Sequence, residues 1–447
     1  MQEIKELKMK KKHLGKGLPI LNEHAAGIDV GDTGHDVAIN SIDSHEVRKF
    51  PAFTEDLQRL VNWLKSEGIT TVAMESTGIY WLNLYLMLEE AGIEPYLVNA
   101  KHAKNVTGRK RDDTDAIWLQ KLHACGLLQK SFQPDHEIRT LRTYVRHRKQ
   151  LISSSSDAVR RMQKALELMN VKIHTVISDL LGKTGMSIVS AILAGERDVQ
   201  QLVKLRDPRI KASDEEIKKS LQGIWKEEYL FLLEQAYTEY QFYQRQMNTC
   251  NKKIKECLLL QAAKVLEGDI TSLEIEKKKK LKKNELNFNA RALLTIIVGV
   301  DLCEIECVSE TTSLEMIAET GVDMRKWHSY KHFCAWLNVA PNTKITGGKI
   351  ISSKMQRKKN QAGLSLRMAA SNLTKSKSPM GDQSRKMRSR LGKKGAVVAG
   401  AHLLGRIYYT MIKNQTPYAP EIMKQNQQKW KESRVKYLES QLEKLKN

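Results

Sequence analysis

Four acidic residues, Asp29, Glu75, Asp112 and Asp115, are the part of this chain best suited to chemistry. Exchanging phosphodiesters with two divalent cations about 4 Å apart needs several converging carboxylates, because the ions must be held and neutralised while water or a hydroxyl attacks in line. Asp29 lies in the apolar run AAGIDVG, where an acid among buried neighbours is costly unless it meets a cation. Gly27 and Gly31 beside it leave room for backbone or a metal. Glu75 ends the β-type run TTVAME before the STG turn and so emerges at a strand's C-terminal edge, where α/β sites gather. Asp112 and Asp115, three apart in RKRDDTDAIW, share a helix face on which like charges repel unless something positive intervenes. The competing explanation for that pair is a helix N-terminus, whose dipole and free amides welcome acids. Asp29 alone reads equally well as a strand-end acid, and it is the joint pattern that favours a metal site. Asp32 and Asp36 read as turn and edge residues, and Asp113 as pointing off the face shared by Asp112 and Asp115.

Cations surround these acids. Lys101, Lys104, Arg109, Lys110 and Arg111 run directly into the acidic pair and are candidate clamps for a nucleic-acid backbone, although each taken singly is also an ordinary solvated side chain. Cys303 and Cys307 with His328 and His332 give C-x3-C and H-x3-H spacing of the zinc-ligand kind. The preferred reading makes the two thiols small core residues, four apart on one helix and sharing its buried side.

The elements that must position the acids are legible from about residue 22. AAGIDVG, HDVAIN and EVRKFPAF form a three-strand meander, followed by the helical period TEDLQRLVNWLKSEG, the strand TTVAMES, the amphipathic helix IYWLNLYLMLEEAG and the strand EPYLVNA. The resulting order, βββαβαβ, is the one used by ribonuclease-H-like nuclease folds. A further helix, DDTDAIWLQKLHACG, closes this unit near residue 130. Long helical periods over about 136–265 predict a helical insert of coiled-coil type, and IEKKKKLKKNE is too charged to bury. The expected division is a basic tail (1–21), an α/β catalytic domain (22–132), a helical connector with a basic linker (133–288), a mainly α C-terminal domain (289–415) and a charged helical tail (416–447).

The 447 residues contain 74 Lys and Arg against 51 Asp and Glu, a formal charge of +23, which seeks a polyanion. Nucleic acid is the expected partner, and a ribosomal or membrane-surface protein fits the patterned acids less well. Six scattered cysteines, a charged start without an apolar signal core, and no apolar run near the ~20 residues a membrane helix needs give the expectation of a cytoplasmic protein with free thiols and no membrane association.

At GIDVG, AMESTGIYW and KRDDTDA the sequence resembles the DEDD transposases of bacterial insertion sequences, the group with Piv-type invertases and bridge-RNA-guided recombinases. The resemblance resumes in IAETGVDMRKWHSYKHFCAWLNVAPNTKITGGKIISSKMQRKKNQAGLSLRMAA. It implies a RuvC-like domain in which Asp29, Glu75, Asp112 and Asp115 hold magnesium, with manganese as the alternative, and a C-terminal domain that supplies a nucleophilic hydroxyl. In the family the hydroxyl precedes Gly or Gly-Gly, and here that residue is Thr346, whose extra methyl crowds an in-line approach. Ser352 and Ser353 follow closely, so all three stay candidates; the plainer reading makes Thr346-Gly347-Gly348 a turn and Ser352 a helix cap. Lys349, Lys354 and Arg357 near this loop join the candidate nucleic-acid contacts. The stretch from LLTIIVGVD to IAETG resembles a helix-hairpin-helix-like element that docks on a DNA backbone.

The function this implies is a DNA transposase or site-specific recombinase guided by a noncoding RNA, working as a homodimer or homotetramer because exchange cuts several strands at once. Two rivals remain: a RuvC-like nuclease or junction resolvase that uses metal-activated water and needs none of the hydroxyls, and a non-catalytic nucleic-acid-binding protein for which Glu75 is dispensable.

Overall fold

The computed structural model describes residues 13–14, 18–40, 45–99, 114–268, 284–356 and 358–446. The chain divides into two compact units, 1–133 and 134–447. The first is a mixed sheet with helices and the second is mainly helical.

In the first unit, β1 (Ala25–Val30), β2 (Gly34–Asn40) and β3 (His45–Pro51) form an antiparallel meander, and β4 (Thr71–Glu75) and β5 (Glu94–Val98) add in parallel beyond β1. The strand order is β3-β2-β1-β4-β5. Helices α1 (Thr54–Ser66) and α2 (Trp81–Glu90) supply the crossovers. Ile28, Val37, Ile39, Val72 and Met74 of the sheet meet Leu57, Leu60 and Leu64 of α1 and Leu84 and Leu88 of α2 in one core. Because side chains alternate across a strand, Gly27, Asp29, Asp36, Ala73 and Glu75 belong to the other face. That face is covered by α3 (Asp115–Ala124), whose Leu119 and Leu122 pack with Ala73 and Val98.

The second unit begins with two long helices, α4 (His136–Leu168) and α8 (Glu227–Val265). They run antiparallel, as the bonds from Lys264 to Glu137, from Arg148 to Asn251 and from Gln244 to Ser155 require. Buried α4 residues Ile138, Leu141, Val145, Arg148, Leu151, Ser155, Ala158 and Met162 recur at three- and four-residue spacing, the seam of a coiled-coil pair. Between them, α5 (Lys183–Leu193), α6 (Val199–Lys204) and α7 (Asp214–Leu221) wrap a separate apolar cluster with Met162, Leu166, Leu233 and Ala236.

The rest of the unit holds α9 (Ala290–Val298), α10 (Glu310–Thr320), α11 (Tyr330–Trp336), the hairpin β6 (Lys344–Thr346) and β7 (Lys349–Ser352), α12 (Gln361–Leu373), α13 (Pro379–Asn414) and α14 (Pro420–Lys446). Phe333 stacks on Tyr408 at 5.9 Å, and Trp327 lies edge-on to it at 4.9 Å. The Tyr408 hydroxyl reaches Thr320 Oγ1 at 3.0 Å. Arg146 of α4 grips Glu319 of α10 with two bonds, of 2.7 and 2.8 Å, tying the long helices to this part.

Two expectations are corrected here. Cys303 and Cys307 do not share one helix: Gly299, at φ +82°, ends α9 in a left-handed turn, Cys303 sits in a 3-10 turn whose cap Asp301 accepts from its amide, and Cys307 has φ +62°. Ser352 closes strand β7 and caps no helix. Among the described residues no helix is long and apolar enough to cross a membrane.

Candidate active site

The parallel pairing of β1 with β4 sets Ile28 opposite Met74, so Asp29 and Glu75 are the next rung, side by side where both strands end. Asp29 is half-buried and Glu75 only 8 % exposed. Antiparallel β2 sets Asp36 directly across from Asp29. Like charges opposed on neighbouring strands repel, and Lys49 of β3, 3.5 Å from the Asp36 carboxylate, offsets the second. Asp36, read from sequence as an edge acid, thus lies on the acidic face itself.

Helix α3 brings the third acid to the same edge. Its C-terminal end is tied to the start of the strands: Asn22 donates to the His123 carbonyl at 2.7 Å, Leu21 N–H donates to the Ala124 carbonyl at 2.8 Å, and His123 Nε2 meets Thr71 Oγ1 at 2.9 Å. The helix therefore runs against β1 and β4, and its N-terminus points to the edge where Asp29 and Glu75 emerge. Asp115 is its first residue, after Thr114, whose hydroxyl accepts from Ile117 N–H at 3.3 Å. A negative side chain is favoured there by the dipole. Asp112 precedes this cap and lies outside the described residues, as do Lys101, Lys104, Arg109, Lys110, Arg111 and Asp113.

Gly27 permits the close lay of α3. A Cβ on Gly27 would come within 2.8 Å of Gln120 Cα, and closer still to the Ala116 carbonyl oxygen and the Gln120 nitrogen. Only glycine lets helix backbone rest on strand backbone at this point. The room expected beside Asp29 is thus occupied by α3.

Asp29, Glu75 and Asp115 offer carboxylate oxygens, the hard ligands magnesium prefers. Among the described residues, however, no three His, Cys, Asp or Glu gather closely enough to hold a metal. The same holds for Cys303, Cys307, His328 and His332. Instead the Cys303 thiol lies 3.6 Å from Ser313 Oγ, and His332 Nδ1 is 2.9 Å from Ser329 Oγ.

The hydroxyl candidates lie in the second unit. Thr346 pairs with Lys349 and Lys344 with Ser352, while a bulge falls between the Lys344 and Ile345 rungs. Gly347 and Gly348 both have positive φ, +54° and +77°, as a two-residue hairpin turn demands. Thr346, Lys349, Ser353 and Lys354 are exposed and Ser352 is half-buried; Arg357 lies outside the described residues. Ser352 Oγ accepts from Lys354 N–H at 3.4 Å.

Sequence reasoning missed the residues that hold this hairpin at its base. Buried Asn338 donates to the carbonyls of Gln356 and Lys358 at 3.1 and 2.9 Å. Asn360 donates to the Trp336 carbonyl at 3.0 Å and caps α12 through Gly363 N–H at 2.9 Å. Arg367 of α12 binds the Asn338 carbonyl. Asn338, Asn360 and Arg367 are therefore clamps on both ends of the hairpin segment.

Two family models match the chain: one described as Transposase, of the DEDD IS110 kind, over residues 26–171, and one described as Transposase IS116/IS110/IS902 family over residues 301–385. Together they span just over half of the sequence. The chain belongs to this family of insertion-sequence transposases, enzymes that cut and rejoin DNA. No curated protein was found to match it.

Proposed function

We propose that this protein exchanges DNA strands by transesterification, with a divalent-metal site on the acidic face of a RuvC-like domain and a hydroxyl of the hairpin segment as nucleophile. The observation that supports the reading is the placement of Asp29 and Glu75, far apart in sequence, on adjacent rungs of one sheet face, with Asp115 opening the helix that covers that face. Asp112 is the fourth proposed ligand. Magnesium, or manganese, bound there would neutralise charge gathering on the attacked phosphate. The chain's own groups do the rest. A hydroxyl of Thr346, Ser352 or Ser353 attacks phosphorus, its proton leaves to solvent or a neighbouring carboxylate, and the displaced DNA oxygen departs as the other product. The new phosphoester retains the bond energy, so rejoining needs no outside source. Lys349 and Lys354 flank the hydroxyls and suit phosphate contact, as do Arg357 and the cations between Lys101 and Arg111. A noncoding guide RNA as second polyanion, and a homodimer or homotetramer as the working form, complete the proposal; the charge of +23 supports the first.

The test incubates purified protein with its element's ends, the adjoining noncoding RNA and magnesium, and traps a protein–DNA adduct for mass spectrometry. An adduct on Thr346, Ser352 or Ser353 is expected. Strand cleavage that persists with all three replaced by alanine overturns the covalent step and leaves a water-using nuclease.

A further inference from the structure

Between residues 375 and 394 the chain carries eight lysines and arginines against one acid, Asp382. All eight are exposed, and from Arg385 to Lys394 only Met387 is even partly covered. This stretch of α13 thus has no buried face, and a helix exposed on every side gains nothing from packing. Arg385 is used internally, bonding Asp382 and the carbonyl of Thr374. Among the described residues Lys375, Lys377, Arg388, Arg390, Lys393 and Lys394 enter no ion pair.

The helix is broken inside this cluster. Gly392 has φ +73° and ψ +173°, a conformation essentially reserved for glycine, with nothing within 4 Å of where a Cβ would stand. Lys393 and Lys394 therefore open a new helical segment, at the dipole end that disfavours cations. Neither packing, nor internal pairing, nor the helix dipole accounts for so many cations here. An external polyanion does. Five of the eight, Lys386, Arg388, Arg390, Lys393 and Lys394, also lie beyond the 301–385 family match, so the family assignment does not explain them.

We infer that the projecting segment 385–394 grips the phosphate backbone of duplex DNA, independently of base sequence, with Arg388, Arg390, Lys393 and Lys394 as its contacts. The inference rests on the reading of the chain as a DNA-acting enzyme, and DNA is the polymer on which its family acts. Each phosphate neutralised releases condensed counterions, which makes the contribution visible in salt dependence.

The experiment compares full-length wild type with the variant Arg388→Gln, Arg390→Gln, Lys393→Gln, Lys394→Gln, and with a charge-matched control, Lys204→Gln, Lys211→Gln, Lys219→Gln, Lys226→Gln. Binding to a labelled duplex without element sequence is measured across a potassium chloride series, and to a structured RNA in parallel. The slope of log K against log salt should flatten by about three to four for the first variant, about 0.9 per lost contact on duplex DNA, and by less than one for the control. Equal flattening in both variants reduces the effect to net charge and overturns the inference. Flattening on RNA alone overturns the choice of DNA. Wild type that binds no duplex at any salt removes the functional reading as well, whereas wild-type binding with an unchanged slope in the first variant removes only this surface.

Discussion

Replacing Gly27 by alanine tests whether the acidic edge depends on how closely α3 lies on β1. The new Cβ would stand 2.8 Å from Gln120 Cα and nearer still to two other backbone atoms of α3, so restoring ordinary carbon contact requires the helix to withdraw by about 1 Å. No rotamer relieves this, because every clashing atom is backbone. Overpacking of this kind costs about 1–3 kcal/mol, a fall of several degrees in the melting midpoint of a domain this size. Asp115 rides on the first turn of the displaced helix, and a misplacement of about 1 Å in a catalytic group costs roughly 10²-fold in rate. Calorimetry and a strand-exchange assay on the same preparation separate the two effects. Below the melting range, the variant should remain folded yet exchange strands about a hundred times more slowly. Wild-type exchange would mean that the position of α3, and with it Asp115, is immaterial to the reaction.

Three further perturbations follow from the same geometry. Glu75→Gln keeps the shape of a residue only 8 % exposed, and it should lower strand exchange by about 10³-fold, roughly 4 kcal/mol, with a melting curve close to wild type. Chelation of divalent ions should stop wild-type exchange and added magnesium restore it, and undiminished exchange in the variant would exclude Glu75 from the chemistry. His123 is buried against Thr71 Oγ1, and desolvation holds its pKa down at about 4, against a small opposing effect of Glu94. As pH falls below 6.5 the unfolded chain takes up this proton before the folded one does, so stability is full above pH 6.5 and declines toward pH 4, by roughly 3 kcal/mol at the limit. Urea titrations at pH 7 and pH 5 should show that decline in wild type and a shallower one in His123→Asn. Finally, Arg146 and Glu319 are joined by two bonds, with the carboxylate nearly buried but the arginine half-exposed. A double-mutant cycle to alanine should return a coupling of about 1–2 kcal/mol, below that of a fully buried pair, and a coupling near zero would show that this pair does not help to hold α4 to α10.

The sheet and its acids were legible because each strand carries its own signal. AAGIDV and TVAME are short apolar or branched runs ended by turn residues, and an acid inside such a run is conspicuous wherever it falls. What could not be read was set by partners remote in sequence. Gly27 reads as room for backbone or a metal, but nothing local says that residues 116–120 are the backbone that rests there. Asp36 gave no sign of standing across from Asp29, because register depends on the turn at Gly31, whose N–H donates to the Gly34 carbonyl at 3.0 Å. Asn338 and Asn360 carry no local signal of their role, yet their amides close the base of the hairpin.

The role of the basic stretch after residue 385 is hidden in the sequence for a different reason. Charge on a helix reads as solubility unless one knows that the helix has no buried side, and that is a property of its surroundings alone. The acidic edge must be desolvated and held rigidly, so it is written into strands and a tightly packed helix. A grip on phosphates works at the surface and needs only reach, so an exposed segment with no buried face, broken at one glycine, suits it. Tightening that segment, for instance with Gly392→Ala, should therefore alter DNA affinity and its salt dependence while leaving the rate of exchange at saturating DNA unchanged, the opposite of what Gly27→Ala does.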